Sequence, residues 1–352
     1  MPEIVEQLAR IIRTAAAERR VLRLRGGGTK DFYGAALAGE ILDTSSYRGI
    51  VGYEPPELVI TARCGTPLAE IESAMRGQGQ MLAFEPPHFG EGATLGGCIA
   101  AGLSGPRRPH AGAVRDLVLG VRMLDGKGQD LRFGGQVMKN VAGYDVSRLM
   151  AGSMGTLGVL LEVSLKALPL PVAELTLRQE HTQAEAITLM NEWAGRPLPL
   201  SATCHVDNGL YVRLSGAAAA VRAARDKLGG EVIADGATFW ESVREQRHAF
   251  FAGDAPLWRL SLKSSTPSLV LPGAQLVEWG GALRWVTSAA GTALMREAAA
   301  SGGGHATLFR AQDKSDGAFH PLSPALAKIH RRLKDTFDPA GILNHGRLYP
   351  EL

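Results

Sequence analysis

Apolar residues along this chain recur at helical spacing in a few stretches and alternate or cluster at strand spacing in many more. Ile4, Leu8, Ile11 and Ile12 share one helical stripe while Glu3, Glu6, Gln7 and Arg10 fall elsewhere, which predicts an amphipathic helix over 3–18. Val21 to Arg25 reads as a buried strand that runs into a glycine loop, and Glu40–Thr44 and Leu58–Arg63 are short apolar runs bounded by turn residues. Thr66 is a suitable N-cap with Pro67 at the first helical position, after which Leu68, Ile71 and Ala74 keep helical spacing up to Gly77. These elements predict a compact βαβ-type unit around residues 26–30.

The block from Met81 to Asp116 is rich in glycine and proline, but Thr94 to Gly102 is small and apolar, which predicts a buried, tightly turning segment. Arg107 and Arg108, following Pro106, read as solvated. Asp116–Leu124 and Gln129–Phe133 are apolar-rich runs joined by Asp125-Gly126-Lys127-Gly128, a hairpin signal. A short helix over 144–150 ends at Gly152, a strand covers Val159–Lys166, and Pro169 and Pro171 close this part. From Val172 the rhythm changes. A strand over 173–179, a helix over 183–193, a strand pair (202–206 and 210–214) around Asn208-Gly209, and an Ala-rich helix over 217–228 give the order βαββα of a ferredoxin-like domain. Runs at 257–262, 275–279, 283–287 and 306–310 would continue an antiparallel sheet, and no internal repeat stands out. In the tail, Leu326, Ile329, His330 and Leu333 share a helix face over 325–336 before a sharp turn at Asp338-Pro339-Ala340-Gly341.

With 352 residues and 45% apolar content, the chain can bury a large core and favours two domains. A net charge of only +3, with acids and bases interleaved, excludes the basic stripe expected of a nucleic-acid binder. Cys64, Cys98 and Cys204 are far apart and form no CxxC, which fits a reducing compartment and argues against iron–sulfur or zinc ligation by this chain. The N-terminus lacks the basic-then-apolar order of a secretion signal, and no apolar run reaches the ~18 residues that span a bilayer. The expected location is cytoplasmic, with peripheral contact at the inner face of the inner membrane as the most membrane involvement.

The chemistry concentrates in three glycine-rich turns. Arg25-Gly26-Gly27-Gly28-Thr29-Lys30 follows the first strand. Thr94, Gly96, Gly97 and Cys98 open a segment that continues through Ala101 and Gly102 to Ser104 and Gly105, and Gly152, Gly155 and Gly158 precede Val159. Glycines let N–H groups converge on an oxyanion, so three such turns suit an extended ligand gripped by backbone. No GxxxxGK followed by Ser or Thr occurs, and GxGxxG fails at Asp31 after Gly26 and at Leu95 after Gly90, so neither a P-loop nor a dinucleotide fingerprint is present.

The RGGGT loop, the TLGG segment leading to SGPRRPHAGAVRD, the KNVAGYDVSRLMAGSMGTLGV block and the terminal FDPAGILNHG together resemble the vanillyl-alcohol oxidase and p-cresol methylhydroxylase (PCMH) FAD-binding superfamily. Within it the likeness is to the family of FAD-binding E subunits of bacterial glycolate oxidase, or glycolate dehydrogenase. The likeness is dense over the first 170 residues and clear over the last 30. It implies an α+β fold: a PCMH-type FAD-binding domain of two α/β subdomains over 1–171, completed by 324–352, and a ferredoxin-like antiparallel substrate or cap domain over 172–323. It also implies FAD bound by the three turns and by Asn344, a small 2-hydroxy acid as substrate, and two partners: a second FAD subunit of the same fold and an iron–sulfur subunit. Flavinylated members carry His immediately after the glycine loop, where this chain has Thr29, so non-covalent FAD is expected. Many members carry Glu where this chain has Met154.

The hydroxy-acid dehydrogenases of that superfamily carry an HxGDGNxH metal motif. The nearest string here, from Cys204 to Tyr211, lacks the second His and the GDGN turn, which implies no metal and leaves open whether this chain itself oxidises the hydroxy acid. Lys139, Tyr144, His305 and Arg310 are the polar candidates for catalysis, each with an exposed or core-satisfied role as the alternative. His305 and Arg310 differ by five places, so on a regular strand they would face opposite sides.

Overall fold

The computed structural model describes residues 2–135 and 145–352, so Lys139 and Tyr144 lie outside the described residues. The chain divides into two compact units, one comprising Met1–Leu103, Ala113–Pro169 and Pro321–Leu352, the other Ser104–Gly112 and Leu170–His320.

In the first unit the N-terminal helix Pro2–Glu18 buries Val5, Leu8, Ile12 and Ala15 against Leu22, Leu42 and Leu343. Leu22–Arg25 pairs in parallel with Glu40–Asp43, and Leu22 also bridges Leu343 in parallel. The connection between the two strands contains no helix, so the expected βαβ unit is instead a helix followed by a parallel strand pair. Residues 26–39 are too poor in apolar side chains to offer a helical stripe. A five-stranded antiparallel sheet runs in the order Ile50–Glu54, Val59–Arg63, Val159–Lys166, Val118–Leu124, Asp130–Gly134. Its core takes Leu68, Ile71 and Met75 from the helix Leu68–Arg76, Leu95, Cys98 and Ile99 from the helix Leu95–Ala101, and Phe337 from the C-terminal helix Pro324–Phe337.

Two local expectations change. Pro67 occupies the N-cap of Leu68–Arg76, and the Thr66 hydroxyl instead accepts the Gly49 N–H at 2.8 Å. The segment expected to be a tight turn at 94–102 is a true helix, capped by Thr94 and ended by Gly102 at φ 66°. Its glycines are poor helix formers, but burial of Leu95, Cys98 and Ile99 outweighs the roughly 1 kcal/mol that each glycine costs.

The second unit is built on one eight-stranded antiparallel sheet, ordered Glu231–Ile233, Ala173–Glu180, Gly209–Gly216, Leu200–Val206, Ala274–Glu278, Leu283–Thr287, Leu257–Ser261, His305–Arg310. Taken four at a time in chain order, the strands of the first half lie fourth, first, third, second. Those of the second half lie second, third, first, fourth. The halves are therefore two ferredoxin-like sheets joined through their second strands, at Cys204 opposite Glu278 and His205 opposite Val277. The repeat lives in topology. Helices Gln183–Ala194 and Ala218–Leu228 serve the first half, but the second keeps only Thr292–Ser301, and an irregular segment stands where its earlier helix would be. That segment is pinned by the fully buried Arg284, whose guanidinium donates to the carbonyls of Thr266 at 2.6 Å, Gly281 at 2.8 Å and Pro267 at 3.3 Å. Arg107 is not a solvated side chain, and Arg108 is only partly exposed. Arg107 is buried against Glu174 at 2.7 Å, and the Arg108 guanidinium lies 4.3 Å from the Trp279 ring centre.

The ring of the buried His205 makes one hydrogen bond, from Nε2 to the His181 carbonyl at 2.9 Å, and its Nδ1 has no partner among the described residues. Burial holds its pKa below the ordinary 6.5. Below pH 6.5 the unfolded chain therefore takes up a proton that the folded chain refuses, and stability falls as pH drops from there toward the folded-state value. Urea titrations at pH 7.5 and 5.5 should show this decline, and His205→Gln should flatten it; an unchanged slope would remove His205 as a cause.

Candidate cofactor cleft

The first strand ends at Arg25, and the chain then makes the glycine run with its amides bare. Among the described residues the N–H groups of Gly26, Gly27, Gly28 and Thr29 have no internal acceptor, while Asp31 N–H turns back to the Gly28 carbonyl at 3.1 Å. Glycine is required here by space and by torsion. A Cβ on Gly27 would sit 1.4 Å from the Gly92 carbonyl oxygen, and Gly28 has φ +73°. The third turn behaves alike: Gly155 has φ +72°, and the N–H groups of Gly155 and Gly158 lack internal acceptors among the described residues.

The second turn contributes surface more than donors. Gly96 N–H is spent on the Cys64 carbonyl at 2.8 Å, Cys98 N–H on the Thr94 carbonyl at 2.9 Å, and Gly97 N–H on the Thr94 hydroxyl at 3.3 Å. Cys98 turns its thiol into the core, where burial pushes its pKa up to about 12. Gly102 and Gly152 pack backbone to backbone, a Cβ on Gly102 falling 2.7 Å from the Gly152 Cα. Neither lines the cleft, and Ser104 and Gly105 belong to the second unit.

The remaining expected residues converge. Arg25, Gly26, Gly27, Gly28, Thr29, Lys30, Thr94, Gly96, Gly97, Ala101, Gly155, Gly158, Val159 and Asn344 line one cleft enclosing about 810 Å³ of atom-free space, its mouth included. Leu24, Leu37, Ala100, Met154 and Leu160 add an apolar wall. Bare amides at one part and an apolar wall at another suit a ligand that carries phosphate and a flat ring. The rim is basic. Arg23 and Arg25 hold Asp31 at 2.6 and 3.0 Å, and Lys30 Nζ donates to the His88 carbonyl at 3.1 Å.

The C-terminal segment holds these walls together. Asn344 Oδ1 accepts the Leu24 N–H at 2.7 Å, and its Nδ2 donates to the Met154 carbonyl at 2.7 Å, so one amide side chain joins the first strand to the third turn. Arg347, buried, donates to the carbonyls of Ala35 at 2.7 Å and of Lys30 and Asp31 at 3.1 Å each, which fixes the loop beyond the glycine run. Burial pulls its pKa down to about 10. Lys334, buried on the C-terminal helix, pairs with Asp338 at 2.8 Å and donates to the carbonyls of Leu343 at 2.7 Å and Thr156 at 2.9 Å. Asp338 in turn accepts the Leu343 N–H at 2.8 Å. Sequence reasoning missed Lys334 and Arg347. The i, i+4 Lys–Asp pair before the turn was the available signal.

The catalytic candidates in the second unit do not converge. The ladder pairs Leu257 with Arg310 but Trp258 with Leu308, so Phe309 is a bulge and His305 and Arg310 face the same side of the sheet. They remain four ladder positions apart, roughly 13 Å, too far to hold one two-carbon acid together.

Two substitutions test the cleft. Gly27→Ala should yield a folded protein that purifies without bound flavin, whereas Gly52→Ala, with nothing near its Cβ, should retain it. Asn344→Ala leaves the Leu24 N–H and the Met154 carbonyl unsatisfied, at about 1–3 kcal/mol each, and should weaken FAD binding at least about tenfold in a fluorescence titration.

A family model described as "FAD binding domain" matches residues 1–134. Over 341 residues the chain is 52% identical to the glycolate oxidase subunit GlcE of Escherichia coli (strain K12), covering 97% of this chain and 96% of that one. Over 202 residues it is 29% identical to the glycolate oxidase subunit GlcD of Bacillus subtilis (strain 168), covering 56% of this chain and 43% of that one. A solved alkyldihydroxyacetonephosphate synthase superposes with a TM-score of 0.67 at 17% identity, covering 96% of this chain and 75% of that one, a likeness of fold alone. With a cleft of bare amides where the FAD-binding model matches, and this identity along nearly the whole length, the chain belongs to the GlcE family of FAD-binding glycolate oxidase subunits.

Proposed function

We propose that this chain oxidises glycolate to glyoxylate on non-covalently held FAD and passes the electrons to partner subunits. The observation that carries the reading is the set of amides on Gly26, Gly27, Gly28 and Thr29, unpaired among the described residues, at a basic rim where an FAD-binding family model matches, with those of Gly155 and Gly158 beside them in the same cleft. FAD, when bound, supplies the two-electron acceptor. The chain's own residues then do three things. The amides of the first and third turns orient the diphosphate, and Arg25 and Lys30 offset its charge. Leu24, Ala100, Ala101, Met154 and Leu160 keep water from the apolar wall, and Asn344 and Arg347 hold the walls at fixed spacing. Thr29 supports non-covalent attachment, because its hydroxyl cannot form the bond made by a histidine.

In this reading residues 1–171 with 324–352 carry the flavin, and 172–323 form the substrate or cap domain. One partner is a second FAD subunit of the same fold, which the likeness to GlcD supports. The other is an iron–sulfur subunit. All three thiols of this chain are buried and their pKa values pushed up by burial, so they suit core packing and not cluster ligation. No helix among the described residues is long and apolar enough to cross a membrane, which accords with a cytoplasmic protein docked peripherally through its complex.

A relay without substrate oxidation of its own is the second reading. It is favoured by His205, the only histidine of the string nearest the HxGDGNxH motif, being spent on a backbone carbonyl inside the core. Anaerobic stopped-flow mixing of the FAD-loaded chain with glycolate separates the two. Bleaching of the flavin by this chain alone is the expected result; bleaching only after the partner subunits are added would replace oxidation by relay.

A further inference from the structure

Four ionisable residues line the candidate cleft: Arg25, Lys30, Asp31 and Arg347. Three are cations and one is an acid, so the lining carries a net of two positive charges at neutral pH. A diphosphate joining two alcohols carries one negative charge on each phosphate and would balance that lining. The three cations differ in what surrounds them. The Arg25 side chain is 44% exposed and holds Asp31 at 3.0 Å, and Lys30 is half-buried with its Nζ donating to the His88 carbonyl. Arg347 is 5% exposed and forms no ion pair among the described residues.

Its guanidinium donates to the carbonyls of Ala35, Lys30 and Asp31, which meet its N–H groups with dipoles and leave its charge without a counter-ion. The acid whose field reaches it is Asp31, already held by Arg23 at 2.6 Å and by Arg25. Arg23 acts on Arg347 in the opposite sense, and Tyr33 is the other titratable group beside it. The fold makes room for this arrangement. Gly34 has φ +85°, and a Cβ there would meet Arg347 Nε at 3.2 Å and Cδ at 3.3 Å. Water and salt weaken the two rim cations, whereas a buried charge acts through a low dielectric. An uncompensated buried cation destabilises the empty cleft, and a dianion beside it relieves that cost.

We propose that Arg347 is the buried counter-charge to the cofactor's diphosphate, and that through this charge it selects FAD over flavins without phosphate. This rests on the reading of the cleft as a non-covalent FAD site. Bracing of the loop by Arg347 acts on every flavin alike, whereas its charge acts only on those that carry phosphate. Arginine suits the position because a guanidinium keeps its proton when desolvated, where an ammonium sheds it readily.

The test titrates the deflavinated full chain, as native, R347Q and R347K, with FAD and with riboflavin, followed by flavin fluorescence. The glutamine of R347Q can still donate to a loop carbonyl but carries no charge. It should weaken FAD binding at least about tenfold and riboflavin binding less than about threefold, in low salt and in 1 M salt alike. R347K should bind FAD within about threefold of native at pH 6.5 and lose affinity toward pH 9, as the buried ammonium gives up a proton that the native guanidinium keeps. Equal losses of the two flavins in R347Q would reduce Arg347 to a brace, a loss that vanishes in 1 M salt would make its charge a surface one, and native affinity would place the counter-charge elsewhere. Each of these overturns the proposal and leaves the FAD site standing. Should R347Q not fold, R347K decides alone, and an FAD affinity as independent of pH as that of the native chain would overturn the proposal. Failure of the native chain to bind FAD would overturn the reading of the cleft itself.

Discussion

A single buried ammonium, that of Lys334, holds the walls of the candidate cleft together. It reaches the carbonyl of Thr156 in the third glycine turn, the carbonyl of Leu343 on the returning C-terminal strand, and the carboxylate of Asp338. A lone buried charge would cost several kcal/mol, but here all three donor positions have partners, so removing the amine would leave a carboxylate and two carbonyls buried without it. Once Leu343 is fixed, its neighbour Asn344 lies between the first strand and the third turn, and Arg347 lies behind the glycine loop. Residues more than 300 places apart in the chain thereby form one wall.

That arrangement explains why the cleft can be made of backbone. Bare amides are costly in a mobile loop, where each glycine carries the largest entropic penalty of any residue. They become useful when side chains outside the cleft fix the loop from behind, so that binding a diphosphate need not order it. Arg25, Arg23 and Asp31 do this at the front of the run, and Arg347 at the back. Met154 keeps that wall apolar while its carbonyl serves the Asn344 staple.

Most of the strands and the longer helices were legible because their apolar spacing is undiluted, as in Pro2–Glu18, Val159–Lys166 and Gln183–Ala194. The glycine turns were legible as turns because such runs beside buried strands cannot continue either a helix or a strand, and three of them together singled out the cleft that the first and third line. Other features were hidden for identifiable reasons. The helix Leu95–Ala101 carries two adjacent glycines and reads as a turn, since tertiary burial and not propensity sustains it. Gly96 and Cys98 read as amide donors because sequence cannot say that Cys64 and Thr94 already take their protons. The doubled ferredoxin-like sheet escaped notice because one helix of the second half is replaced by the segment that Arg284 pins, which breaks any period in the sequence. Arg107 and Arg108 read as solvent-facing because their partners, Glu174 and Trp279, lie far along the chain.

In the proposed reading, main-chain N–H groups facing a diphosphate, more than contacts to the flavin ring, supply the affinity for the cofactor. Titrating the deflavinated chain with FAD, FMN and riboflavin, followed by flavin fluorescence, separates the phosphate share from that of the adenosine and the ring. FAD should bind at least about 100-fold more tightly than riboflavin, the equivalent of about two charge-assisted hydrogen bonds, with FMN closer to FAD than to riboflavin. Equal affinity for FAD and riboflavin would contradict that reading.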